Sequence, residues 1–155
     1  MMTICYIASP VGRLALEADG DALATVRWAS AAEKAPKTNS TAVLREAARQ
    51  LERYFAGRLK IFDLPLAPHG TDFHERVWSL MRDIPFGETA TYGGMAMALG
   101  SGARAVGTAC GRNPIPIIVP CHRVLASGGK VGGYSGGHGL PTKRRLLALE
   151  GVLLP

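Results

Sequence analysis

Apolar and polar positions along the chain change period once before residue 60. Thr3–Ala8, Leu14–Ala18 and Leu23–Trp28 read as strands. Ser9-Pro10-Val11-Gly12 and Asp19-Gly20-Asp21 carry turn chemistry between them. Residues 29–40 form a polar, proline-containing connection. From Thr41 to Ala56 the apolar residues fall at Val43, Leu44, Ala47, Leu51 and Phe55, which is helical spacing. Ser40 or Thr41 can cap the start of that helix, and Gly57 stands where it should stop.

Residues 60–70 read as a short strand and a linker, and a new unit begins near Thr71. Phe73, Val77, Leu80 and Met81 share one helix face, and Asp72-x-x-Glu75 resembles a capping box. Pro85-Phe86-Gly87 ends this helix. Thr91 can cap a short helix through Leu99 that stops at Gly100, and Ser101 can cap a second running to about Gly111. Two short helices around a Gly-Ser-Gly turn are compatible with a helix-turn-helix. Pro141 suits the first turn of a final helix ending near Glu150. The expected organisation is an α/β chain of the α+β kind, with a strand-and-helix domain over 1–68 and a mostly helical domain over 69–155.

At 155 residues and 47% hydrophobic content the chain can bury a core in one or two small domains. No apolar run approaches a membrane span, and the N-terminal residues lack signal-peptide architecture. Three scattered cysteines, Cys5, Cys110 and Cys121, do not make a disulfide framework, so a reducing cytoplasm is the expected location. With Cys5 alone before Cys110, a zinc site in the N-terminal part is rejected. The net charge of +6 makes a polyanionic partner plausible, and its distribution sharpens the point. No acid occurs from Thr89 to Leu149, while Arg104, Arg112, Arg123, Lys130, Lys143, Arg144 and Arg145 all do. Such a segment meets no like-charge penalty beside phosphates.

The densest chemistry is Pro120-Cys121-His122-Arg123-Val124, which follows the apolar run Ile115-Pro116-Ile117-Ile118-Val119. A cysteine attacks as its thiolate, and a cationic or proton-accepting neighbour raises the thiolate fraction. His122 is the candidate. Adjacent side chains in extended backbone point to opposite faces, so either the chain turns sharply here or a water bridges the two groups. Glu150 is the only acid after Thr89 and lies at a helix C-terminus, where the macrodipole disfavours it. Lys143, Arg144 and Arg145 are the near cations that could compensate it.

Together with Asn113-Pro114 before it and Gly132-Gly133-Tyr134-Ser135-Gly136-Gly137 after it, the cysteine string resembles the active-site signature of the O6-alkylguanine-DNA alkyltransferases. Ile84-Pro85-Phe86-Gly87-Glu88-Thr89-x-Thr91-Tyr92-Gly93, Ala103-Arg104-Ala105-Val106-Gly107 and Leu146-Leu147-Ala148-Leu149-Glu150-Gly151 extend the resemblance over about Phe73 to Gly151. It implies a ribonuclease H-like first domain and a winged helix-turn-helix-like second one. It also implies direct-reversal DNA repair, in which the O6-alkyl group of guanine, and the O4-alkyl group of thymine, moves irreversibly to Cys121 after base flipping. The implied relay is Cys121–water–His122–Glu150, with Asn113 holding the cysteine loop and Tyr92 rotating the base and assisting its departure. Arg104 is implied to fill the gap left in the base stack. Ala105, Thr91, Arg112 and Arg123 are the further expected DNA contacts; the helix is rich in small residues, which allows close approach to a groove, and the resemblance implies that this is the minor groove. The expected base pocket comprises Val124, Val131, Tyr134, Ser135, Gly136 and Pro116, with the carbonyls of Cys121 and Val124 accepting from the guanine amine. The small Gly132 and Gly136 leave room for alkyl groups larger than methyl. Cys110 is expected to pack beside the pocket, and Cys5 in the first strand. The implied partner is double-stranded DNA carrying O6-alkylguanine, met by a monomer with no cofactor, no metal, no membrane and no obligate protein partner.

Three other readings compete: a lesion-recognition protein of the alkyltransferase-like type, a helix-turn-helix regulator with an incidental thiol, and a cysteine hydrolase. The first lacks the cysteine that this chain has, and no oxyanion hole can be identified for the last.

Overall fold

The computed structural model describes residues 2–35 and 41–154, so Ser40 as a candidate cap lies outside the described residues. The chain divides into two compact units, Met1–His69 and Gly70–Pro155.

In the first unit β1 (Met2–Ile7), β2 (Leu14–Asp19) and β3 (Ala22–Trp28) form an antiparallel sheet in the order β1-β2-β3. The register runs from Ile7↔Leu14 to Met2↔Asp19 on one side of β2, and a bulge at Glu17/Ala18 interrupts the other. Helix α1 (Ala42–Phe55) is capped by Thr41, whose hydroxyl accepts from Leu44 N, and Gly57 follows it at φ +75°. Its buried face of Val43, Leu44, Ala47, Leu51 and Tyr54 packs against the sheet, where Leu14, Leu16, Leu23 and Val26 are buried. Cys5 is half-buried in β1, and the burial it has pushes its thiol up from its ordinary pKa.

Residues 60–70 do not form the expected strand. Leu66 alone makes a bridge, parallel to Leu23, through Leu23 N to Pro65 O and Ala67 N to Leu23 O, both 2.8 Å. Pro65 and Pro68 flank this one pairing and have no N–H with which to extend it. The segment is held instead by buried Gln50, whose side-chain amide donates to Asp63 O and accepts from Asp63 N, each at 2.9 Å.

In the second unit α2 (Asp72–Arg82) starts at Thr71, not at a box built on Asp72: the Thr71 hydroxyl accepts from His74 N at 3.1 Å. Asp72 and Glu75 then lie in the first turn, where their charge favours the helix dipole. β4 (Ala90–Thr91) leads directly into α3 (Tyr92–Leu99), capped by Thr91 and closed by Gly100 in the left-handed region at φ +63°. α4 (Ala103–Gly111) follows after a two-residue connection beyond that glycine. Its N-cap is Gly102 rather than the expected Ser101, and no side chain caps it. Gly102 takes the extended backbone the cap position needs, so Ser101 stays one residue outside reach of the first-turn amides.

β5 (Val124–Leu125) pairs in parallel with β4, Ala90 opposite Val124 and Thr91 opposite Leu125. That short ladder fixes the cysteine string beside the start of α3. α5 (Leu140–Leu149) closes the unit with Pro141 in its first turn. The largest buried side chain is Trp78, and its indole N–H donates to Ala109 O at 2.9 Å, joining α2 to the last turn of α4. Trp78→Ala removes both this bond and the ring that fills the α2–α4 interface. It is expected to lower the unfolding free energy by about 3–5 kcal/mol in urea titration, and an unchanged midpoint would show that the interface does not depend on it.

Candidate active site

The approach to Cys121 is built by one asparagine. Asn113 Nδ2 donates to Val119 O at 2.8 Å while its Oδ1 accepts from Ile115 N at 3.0 Å. The clamp spans a tight reversal that Val119 N closes onto Ile115 O at 2.9 Å. Ile117, fully buried, sits inside it at φ +76°, a conformation strained for a β-branched residue by roughly 1–3 kcal/mol. Burial of Ile115, Ile117 and Val119 and the Asn113 bonds hold the strained turn, which delivers Pro120 and then Cys121 to a fixed place.

Cys121–Arg123 is a single 3-10 turn. With three residues per turn, its side chains leave the axis in three directions. The chain does turn sharply at Cys121-His122, one of the two alternatives open from the sequence, but the turn sends the thiol and the imidazole in different directions. Cys121 lines a pocket, whereas His122 and Arg123 meet at Glu150. His122 Nε2 lies 2.7 Å from Glu150 Oε2. Arg123 Nε donates to Glu150 Oε1 at 2.7 Å, and its Nη2 donates to Oε2 at 3.0 Å. Arg123 Nη1 also donates to Ile84 O at 2.6 Å, anchoring the segment after α2 to the same cluster. All three side chains are buried.

Charge counting settles the state of His122. Arg123 already neutralises Glu150, so a protonated imidazole would place one net positive charge in the interior. Burial accordingly holds His122 below its ordinary pKa, against the opposing pull of Glu150. A neutral ring whose Nε2–H donates to the carboxylate keeps a lone pair on Nδ1. Nδ1 is buried and has no protein partner among the described residues.

A second buried cation faces the thiol. Lys143 is fully buried; its Nζ donates to Val124 O at 2.7 Å and to Gly133 O at 3.2 Å, and stands 5.7 Å from the Tyr92 ring centre. Burial pushes the Cys121 thiol up, while the Asn113 amide, the Lys143 charge and the Tyr134 hydroxyl pull it down. Burial also pushes Lys143 down, and the neighbouring thiols pull it back up. Tyr92 is driven up to about 12 by burial, so its phenol remains a proton donor at neutral pH. Cys110, likewise raised to about 12, sits with its Sγ 3.6 Å from Met81 Sδ.

Tyr92, Gly107, Cys110, Gly111, Cys121, Gly133, Tyr134 and Ser135 line a cavity of about 250 Å³. Of the residues expected there, Tyr134 and Ser135 line it, and Val124, Val131, Gly136 and Pro116 do not. Val124 is buried behind Cys121 with its carbonyl engaged by Lys143. Val131 faces a separate cleft, Gly136 O accepts from Gly139 N, and Pro116 bridges to Val119 inside the Asn113 turn. Gly107, Gly111 and Cys110 enter instead, because one face of α4 forms the cavity wall.

The expected contact residues divide in the same way. Arg104, Ala105 and Arg112 are exposed on α4 or at its end. Thr91 is half-buried and its hydroxyl accepts from Gly94 N at 3.0 Å. Arg123 is corrected: it is 6% exposed and spent on Glu150 and Ile84, out of reach of a phosphate. Glu150 is compensated by Arg123 and not by the cations of α5. Lys143 was missed as a site residue, though the sequence carries a signal for it. Lys143, Leu146, Leu147 and Glu150 recur at helical spacing, which places a lysine on the apolar face of α5.

Comparison with known proteins places the whole chain in one family. The ribonuclease-like domain model of 6-O-methylguanine DNA methyltransferase matches residues 2–68, and the DNA-binding domain model of the same family matches residues 72–152. A methylated-DNA–protein-cysteine methyltransferase of Methanosarcina acetivorans is 48% identical over 97% of this chain and 99% of its own. The protein of that name from Mycobacterium tuberculosis is 46% identical over 93% of this chain and 89% of its own. The crystal structure of the Mycobacterium tuberculosis O6-methylguanine methyltransferase superposes with a TM-score of 0.83 at 44% identity, covering 97% of this chain and 93% of that one. A structure of the Mycobacterium tuberculosis protein in complex with DNA gives 0.82 at 47% identity, covering 94% and 90%. With both domain models matched in order and the similarity running through nearly the whole chain, the protein belongs to the 6-O-methylguanine DNA methyltransferase family.

Proposed function

We propose that this chain repairs alkylated DNA by moving the O6-alkyl group of a flipped guanine onto Cys121, once per molecule. The observation that carries the reading is a single thiol at the end of a strained, clamped turn, open to a cavity and backed by a buried His–Glu pair. The Sγ–carbon bond forms as the carbon–O6 bond breaks, leaving a thioether and a guanine anion that takes up one proton. The thiol proton passes through a water to His122 Nδ1, while Glu150 holds the ring with its Nε2 proton turned away. Tyr92, protonated at neutral pH, supplies the hydrogen bond to the departing base. No cofactor, metal or protein partner is required, because the acceptor is a side chain.

Residues 69–155 carry this work, and residues 1–68 form the companion domain. The exposed first turn of α4, Ala103-Arg104-Ala105, approaches the minor groove of double-stranded DNA, and Arg104 occupies the gap left in the stack. Small residues support that approach: the same helix is exposed at Gly102 and Ala103 and opens into the cavity at Gly107 and Gly111. O4-alkylthymine is read as a second substrate. Three free thiols suit a reducing cytoplasm.

Incubation with a duplex containing O6-methylguanine tests the reading. Intact mass is expected to rise by one methyl per protein, on Cys121, with guanine restored, and Cys121→Ser should bind the duplex without transfer. Methylation at another residue, or base release without protein alkylation, would refute it. The pH dependence follows from the thiol. Burial holds Cys121 above its ordinary pKa, so the reactive thiolate increases as pH rises through neutrality, and the single-turnover rate should climb with it. Lys143→Met removes a charge that lowers the thiol. It should move the rising limb to higher pH and cut the neutral-pH rate by about tenfold or more, a tenfold change in thiolate being one pKa unit. A limb that stays in place would show that Lys143 only packs.

A further inference from the structure

The backbone at Gly132-Gly133 separates two hollows. On one side lies the acceptor cavity, which Gly133 lines. On the other is a cleft of about 310 Å³ formed by Gly129, Lys130, Val131, Gly132, Leu140 and Arg144. Its walls are apolar or backbone apart from two side chains, and both of those are cationic.

Neither cation is neutralised. Lys130 and Arg144 are exposed, and neither makes a side-chain hydrogen bond or an ion pair among the described residues. No acid stands in the sequence from Thr89 to Leu149, and Glu150 is buried and engaged by Arg123 and His122. The first turn of α5, which contributes Leu140 to the cleft, holds no acidic residue to offset the positive end of the helix dipole. Two like charges and an uncompensated helix end around one concavity are mutually unfavourable until an anion enters.

We propose that the Lys130–Arg144 cleft is a phosphate anchor for the DNA strand whose nucleotide enters the acceptor cavity. This inference rests on the alkyltransferase reading above. A nucleoside lodged against Gly133 carries its own phosphodiesters to the cavity mouth. The cleft begins at the adjacent residue, about 3.8 Å along the backbone. Lysine and arginine side chains span the remaining distance to a phosphate of the same strand. The contact is to the backbone and carries no base preference, which suits a protein that must act in any sequence.

The test uses the full chain and an undamaged duplex, with binding measured across a series of salt concentrations. For Lys130→Ala/Arg144→Ala the slope of log K against log salt should become shallower by about 2, since each phosphate contact contributes about 0.9. At about 0.1 M salt, affinity should fall on the order of a hundredfold, tenfold for each counterion no longer released. The charge-conserving Lys130→Arg/Arg144→Lys should keep both slope and affinity. Transfer from free O6-benzylguanine, which has no phosphate, should proceed at the wild-type rate in both variants. An unchanged slope in the alanine variant would overturn the anchor while leaving the alkyltransferase reading intact. An equal loss with the free base would also overturn it, by showing that the two residues merely shape the acceptor cavity. Failure of the wild-type protein to bind duplex DNA at all would remove both.

Discussion

A single buried carboxylate organises the reactive half of this molecule. Glu150 sits at the C-terminus of α5, where the helix dipole and the loss of solvent both act against a negative charge. It is tolerated because Arg123 meets it with two hydrogen bonds and His122 with a third. Those partners belong to the 3-10 turn that begins at Cys121. Satisfying Glu150 therefore fixes the turn, and fixing the turn aims the thiol. Arg123 also reaches Ile84 O, so the same ion pair ties together α5, the cysteine turn and the segment after α2. Removing one member of such a buried pair leaves the other charged and unsolvated, which typically costs 3–5 kcal/mol. The pair is thus a structural lock as well as the support for His122.

Around this lock the chemistry of the pocket is set by opposing physical effects. Burial opposes ionisation of Cys121, and Asn113, Lys143 and Tyr134 oppose burial. Tyr92 and Cys110 are both kept protonated by burial, and burial raises the Cys121 thiol as well, with Asn113, Lys143 and Tyr134 pulling against it. The strained Ile117 backbone belongs to the same design: a turn that a free chain avoids is held by the Asn113 clamp and a buried apolar run. Small residues on α4 then leave the space that a base needs beside the thiol.

Much of this was legible before any coordinates. The three strands, the α1 cap at Thr41, the α3 cap at Thr91 and the stop at Gly100 follow from local chemistry, because each depends on neighbours within four residues. The pairing of His122 with Glu150, 28 residues apart, was legible only through the family resemblance. The unread parts are those decided by distant contacts. Arg123 and Lys143 look like surface cations in a basic stretch, yet a carboxylate 27 residues on and a carbonyl 19 residues back draw them inside. Val131 lines the second hollow and not the acceptor cavity, because two concavities share one strip of backbone at Gly132-Gly133. The strand expected within residues 60–70 is limited to one bridge by its own prolines, Pro65 and Pro68, which are visible in the sequence.

The ion pair of Glu150 with Arg123 holds His122 neutral, with its Nε2–H donating to the carboxylate and Nδ1 free to take a proton from the cysteine side. Nitrogen-15 NMR of the His122 ring across pH measures this directly. The Nε2–H tautomer is expected to persist unchanged to pH values well below about 6.5, the ordinary midpoint of a histidine. A ring that titrates at or above that midpoint, or that carries its proton on Nδ1, would contradict the account.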